Sequence, residues 1–250
     1  MAKFKTMYTI ICEQLTKTFE SPRGSITPIK DLSLTFEQGS INAIIGQSGC
    51  GKTTLLRLLA GLDTPTDGSI RFCGTSKTPR ISVVFQEPRL FPWFNVRENI
   101  RLSVRHLEYE QQNRFVNEAL ELVRLTHVAE ANPTELSGGM AQRVGLARAL
   151  CPHPDIILLD EAFSALDALT RTQLYDEFMA IHAILPMTTV LVTHDVTEAV
   201  LLASRIYRLG TGTLKAIYDV TFPYPRRLSF PGVAEMSDEI LTAFIVEERI

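Results

Sequence analysis

The chain has 250 residues, 45% of them hydrophobic, and a formal charge of -3 from 25 basic and 28 acidic side chains. That is enough for one large α/β domain or a domain with a subdomain, and the mixed charge leaves no basic patch for nucleic acid or anionic lipid. Four scattered cysteines, Cys12, Cys50, Cys73 and Cys151, have neither metal-ligand spacing nor disulfide-framework density and read as reduced thiols.

The opening MAKFKTMYTIICEQ is basic and then briefly apolar, but Glu13 interrupts it and no small-residue cleavage site follows. A signal peptide is therefore not expected. No apolar run approaches the ~20 residues of a membrane span. In Asp31–Phe36 the apolar Leu32, Leu34 and Phe36 alternate with polar neighbours, which predicts a half-buried strand. Gln38-Gly39 turns the chain into a buried strand over 41–45, ending at Gly46. A small strand over 69–73 follows the turn 65–68. The short apolar runs at 82–85, 156–159 and 189–192 suit strands covered on both faces, hence a parallel sheet with helices between.

Residues 97–150 carry no strand signal. Phe115, Val116, Ala119, Leu122 and Val123 fall at helical spacing and predict one buried face. This stretch reads as a helical insertion, about 87–152, between two strands of the sheet. Beyond 220 the segment 222–231 is broken by prolines. A last helix is expected from about Ser237, with Ile240, Leu241, Phe244 and Ile245 on one side.

Gly46-Gln47-Ser48-Gly49-Cys50-Gly51-Lys52-Thr53 satisfies G-x-x-x-x-G-K-[ST], after a buried strand and before the apolar run that begins at Thr54. Its glycines let successive N–H groups converge on phosphate oxygens, and the following helix adds the positive end of its dipole. Lys52 would neutralise the β- and γ-phosphates, and the Thr53 hydroxyl would ligate Mg²⁺. A nucleotide with β- and γ-phosphates and Mg²⁺ are the expected cofactors, and the family resemblance carried by the next motif makes the nucleotide ATP.

Leu136-Ser137-Gly138-Gly139-Met140 opens a second helix on bare N–H groups, making another anion site in the same chain. Here the sequence resembles the ATP-binding subunits of ABC transporters, over roughly residues 8–220, and especially the nitrate, sulfonate and taurine importers. Met140 stands where that family has Gln, and Ala162 where it has Pro. The resemblance implies a P-loop NTPase fold with a RecA-like parallel sheet, an antiparallel β subdomain and an inserted helical subdomain. Residues 1–220 would form the ATPase domain and 221–250 a C-terminal segment with a short helix.

The same resemblance assigns roles. Asp160 would hold Mg²⁺, and Glu161 would orient and deprotonate the attacking water. His194 would contact the γ-phosphate, and Asp167 would reach across a dimer. Gln86 would touch Mg²⁺ or the lytic water. Phe19 is the candidate adenine platform, with a plain core role as the alternative. Phe91 and Trp93 either dock a permease or pack the subdomain. The implied partners are a second copy, with each nucleotide between one copy's phosphate loop and the other's Ser137-Gly138-Gly139, a transmembrane permease and, indirectly, a solute-binding protein. The implied place is the cytoplasmic face of the cell membrane. An ATPase of iron–sulfur cluster assembly is the alternative of similar size.

Overall fold

The computed structural model describes residues 7–22, 24–74 and 78–247. They divide into two compact units, Tyr8–Gly74 with Thr188–Ile250, and Met1–Met7 with Thr75–Met187.

In the first unit, β1 (Thr9–Ser21) pairs antiparallel with both β2 (Gly24–Phe36) and β4 (Asp67–Cys73). Along β1 the buried positions run Ile10, Cys12 and then Leu15. A register shift between Cys12 and Leu15, with Gln14 at φ 48, explains this change of parity. The bulge returns an apolar side chain to the core face after two polar residues. Beside this sheet lies a parallel one, in which β3 (Ile41–Gly46) is bonded to β7 (Thr188–Thr193) and β8 (Arg205–Gly210). The strand β9 (Thr213–Asp219) continues it antiparallel to β8. Every residue of β3 and β7 is buried, as expected of strands covered on both faces. Among the described residues this unit holds the helices α1 (Lys52–Leu59), α6 (Val196–Leu202) and α7 (Pro231–Glu247).

The second unit holds the parallel pair β5 (Ile81–Val84) and β6 (Ile156–Asp160). Between them the chain is helical, as its periodicity predicts, with α2 (Val96–Arg101), α3 (Tyr109–Leu122) and α4 (Gly138–Leu150); α5 (Ala168–Ile184) follows β6. The buried face of α3 centres on Val116, Ala119 and Leu120 and continues to Val123, while Phe115 and Leu122 sit at its margins.

The C-terminal helix departs from expectation. It starts at Pro231, six residues before Ser237, because proline lacks the N–H that a first turn leaves unbonded and has its φ already set for a helix. Ile240 is buried, but Leu241 is 45% exposed, so the two do not share the inner face.

Candidate nucleotide site

The strand β3 ends at Gly46, and the loop to α1 is shaped by glycine. Gly49 and Gly51 have φ of 81 and 105, in the left-handed region that side chains avoid. A Cβ on Gly51 would strike the Pro28 carbonyl oxygen. One on Gly46 would sit 2.6 Å from the Leu209 carbonyl oxygen. The first helical bond runs from Leu55 N–H to Gly51 O at 2.8 Å, so the amides of residues 51–54 have no acceptor within the helix.

Lys52 is 6% exposed and donates from Nζ to Gly46 O at 2.7 Å and Gln47 O at 2.9 Å. An ammonium has three donors; two brace the loop, and the third suits a phosphate oxygen. Thr53 and Ser48 are exposed, and Thr54 is half-buried. Burial raises the Cys50 thiol's pKa, with Lys52 opposing, so it stays protonated. The cradle fits an anionic phosphate.

His194 follows β7 and is exposed. The turn that carries it is braced: Thr193 Oγ1 donates to Glu198 Oε2 and accepts from Asp195 N–H at 3.0 Å, while Asp195 caps α6 by accepting from Glu198 N–H at 3.1 Å. Phe19 lies in β1 and is 41% exposed, with Lys17 Nζ 4.8 Å from its ring centroid. It is not a core residue.

Among the second unit's residues, Ser137 caps α4 by accepting from Met140 N–H at 3.2 Å. The cap uses the backbone of residue 140, so a Met side chain there leaves it intact. Asp160 ends β6, and Glu161 follows at φ 48. Ser164 pins this turn, donating from its N–H and Oγ to Glu161 O at 3.1 and 2.9 Å. Asp167 caps α5, accepting from Leu169 and Thr170 N–H groups. The Thr170 bond holds its carboxyl below the usual aspartate range. Gln86 is exposed just beyond β5.

Sequence reasoning passed over two residues of this unit. Asn99, fully buried, accepts from Phe91 N–H at 2.8 Å and donates to Phe94 O at 2.9 Å, fixing the turn on which Phe91 and Trp93 are 40% and 70% exposed. Gln142, 4% exposed, donates to the carbonyls of Ala162 and Phe85. An Asn or Gln inside a helical run reads as solvated, and only its partners show otherwise.

The phosphate loop and His194 thus belong to the first unit, while Gln86, Ser137, Asp160, Glu161 and Asp167 belong to the second. Among the described residues, no group of three or more His, Cys, Asp or Glu side chains could hold a metal. Mg²⁺ keeps several waters and is usually held by one or two protein oxygens together with phosphates, and the exposed Thr53 hydroxyl is an oxygen of that kind.

The profile of the ABC transporter family matches residues 29–164. The chain belongs to the ABC transporter family. An aliphatic sulfonates import ATP-binding protein of Granulibacter bethesdensis is 46% identical over 227 residues, 91% of this chain and 92% of that protein. The nitrate import ATP-binding protein NrtD of Synechococcus elongatus is 39% identical over 90% of this chain and 87% of its own length. The bicarbonate transport ATP-binding protein CmpC of the same species is 42% identical over 96% of this chain, which spans only 39% of that longer relative. The ATP-binding cassette MJ0796, a dimer in a post-hydrolysis state with ADP and Pi, superposes with a TM-score of 0.75 at 29% identity. It covers 86% of this chain and is itself fully covered. The fold is that of an ABC cassette, mixed α/β with a parallel sheet and an antiparallel β subdomain.

Proposed function

We propose that this chain is the ATP-hydrolysing subunit of an ABC importer for a small oxyanion of the nitrate, bicarbonate or sulfonate kind. The observation that carries the reading is one chain with two glycine-opened helix N-termini, at Gly51 and at Ser137-Gly138-Gly139, each fit for phosphate. Two anion sites on separate units suit a head-to-tail pair, with each triphosphate between one copy's phosphate loop and the other copy's α4. Relatives named for import or transport support transport over cluster assembly. No helix among the described residues is long and apolar enough to cross a membrane, so a separate permease would supply the path. The exposed Phe91 and Trp93, on a turn braced by Asn99, suit that contact, and the subunit would sit peripherally at the cytoplasmic face. A solute-binding protein would deliver the cargo.

In this reading the loop amides and Lys52 bind the phosphates, and Phe19 offers its exposed ring to the adenine. Thr53 and Asp160, with Gln86, would hold Mg²⁺, which when bound offsets phosphate charge. Glu161 takes the proton of the attacking water, His194 donates to the γ-phosphate, and Asp167 orders the turn facing the second copy.

Glu161→Gln tests this. It keeps the shape and removes the base, so phosphate release should fall ~100- to 10,000-fold while affinity for a fluorescent ATP analogue stays within about twofold. Turnover at the parental rate would remove Glu161 from the mechanism.

A further inference from the structure

We propose that Gln142 is a positioning residue for hydrolysis, tying the helix that opens at Ser137 to the turn that carries Glu161. This rests on the reading that Glu161 is the base. Burying an unbonded amide is costly, so a Gln 4% exposed within α4 must be satisfied where it lies. Its Nε2 donates to Ala162 O and, at a longer 3.4 Å, to Phe85 O. Both partners are carbonyl oxygens, which only accept, so the nitrogen and not the oxygen of the amide must face them.

Those two carbonyls are well placed. Ala162 follows Glu161, and Phe85 precedes Gln86. Glu161 sits at φ 48, a conformation that a side chain adopts only when its surroundings hold it there. Ser164 grips the Glu161 carbonyl from the C-terminal side, and Gln142 grips the next carbonyl from α4. The same helix holds the segment after Gln86 by other means. Arg148 donates to Pro88 O at 2.6 Å and Arg89 O at 3.1 Å. Gly145 gives Pro88 room: a Cβ there would come within 3.3 Å of it.

From Ser137 to Gln142 is five residues, ~7.5 Å along a helix. A shift of the α4 N-terminus on meeting a phosphate would therefore reach the carbonyl beside Glu161 within two turns of rigid helix. A neutral amide suits this work because it presents two hydrogens to two carbonyls. An aliphatic side chain would take this donor from both oxygens, at Ala162 in a buried setting where the loss is costly.

The test is a double-mutant cycle on the full chain, with kcat and KM for ATP measured for the parent, Gln142→Met, Glu161→Gln and the double variant. Methionine matches the length of glutamine and donates nothing. Gln142→Met should lower kcat ~10- to 100-fold, the scale of a small misplacement of a reacting group, with KM changed less than about threefold. In the Glu161→Gln background, followed by single turnover over hours, the same change should cost less than about threefold, because the group being positioned is already gone. A parental kcat for Gln142→Met, a loss confined to KM, or an equal loss in both backgrounds would overturn the proposal. Parental turnover by Glu161→Gln alone would instead sink the functional reading, and that result comes from a different chain. If Gln142→Met fails to fold, Gln142→Asn keeps the amide but stops one methylene short; it too should lose kcat, and parental turnover would overturn the proposal.

Discussion

Lys52 shows how a buried charge can be both tolerated and useful. An ammonium out of water is costly unless it is bonded, and here Gly46 O and Gln47 O supply two acceptors from its own loop. These bonds hold the side chain across the loop's mouth before any phosphate arrives, so little rotamer entropy remains to be lost on binding. Arginine would not substitute, because a planar fork cannot meet two carbonyls and a phosphate from one point. Lys52→Ala removes the positive centre and both braces. ATP affinity should fall ~10- to 100-fold, the scale of a hydrogen bond to a charged group, as read by titration with a fluorescent analogue. Unchanged affinity would count against this loop as the phosphate site.

At the scale of elements, the tail after β9 turns out to be a cap. The last carbonyls of any helix lack helical partners, and those of α6 are met from the segment 222–226. Arg226 donates to Val200 O and Ala203 O, and also to Val220 O at 3.1 Å and Phe222 O at 2.9 Å, while Tyr224 Oη donates to Leu202 O. The guanidinium stacks 4.0 Å from the Tyr224 ring centroid. Burial lowers the Arg226 pKa, with the neighbouring Tyr224 opposing. Arg226→Met leaves four main-chain oxygens without this donor and should cost about 3 kcal/mol, the scale of stranding buried acceptors, seen as a lower urea midpoint with little change in slope. An unchanged midpoint would mean that water replaces the guanidinium freely. None of this was legible in the sequence, where Pro-Tyr-Pro-Arg-Arg reads only as an extended segment broken by prolines. Elements with strict local patterns were legible: β3, β6 and β7 as continuous apolar runs, α1 behind its glycine loop, and the helical stretch between β5 and β6. The strand β1 was not, because its bulge at Gln14 breaks the alternation that marks a strand. Nor were β8 and β9, since Arg205, Arg208 and Lys215 interrupt their apolar positions. The charge in β8 becomes intelligible only with its partners, Arg205 pairing with Asp219 at 2.6 Å and Glu37 at 2.9 Å.

For the molecule as a whole, the two helix N-termini proposed as anion sites sit on different units of the chain, and closed pairs built on a two-fold axis use such surfaces twice over. Under the proposed head-to-tail pairing one interface would create two nucleotide sites, with ATP part of the contact itself. Gly138 allows this to be tested without disturbing the fold. A Cβ there meets nothing within 4 Å, and its backbone φ is not in the left-handed region. An acidic side chain in the first turn of α4 is favourable to the helix on its own, so Gly138→Asp should melt no earlier than the parent. Against a phosphate, however, the added carboxylate repels where the glycine N–H attracts. In the Glu161→Gln background, ATP should bring the chain from monomer to dimer in size exclusion with light scattering, by mass action on the paired state. Adding Gly138→Asp should abolish that dimer while leaving affinity for the ATP analogue, set by the Lys52 loop, within about threefold of the parent. Persistence of the dimer at the same ATP concentration would show that α4 does not face the nucleotide of the second copy.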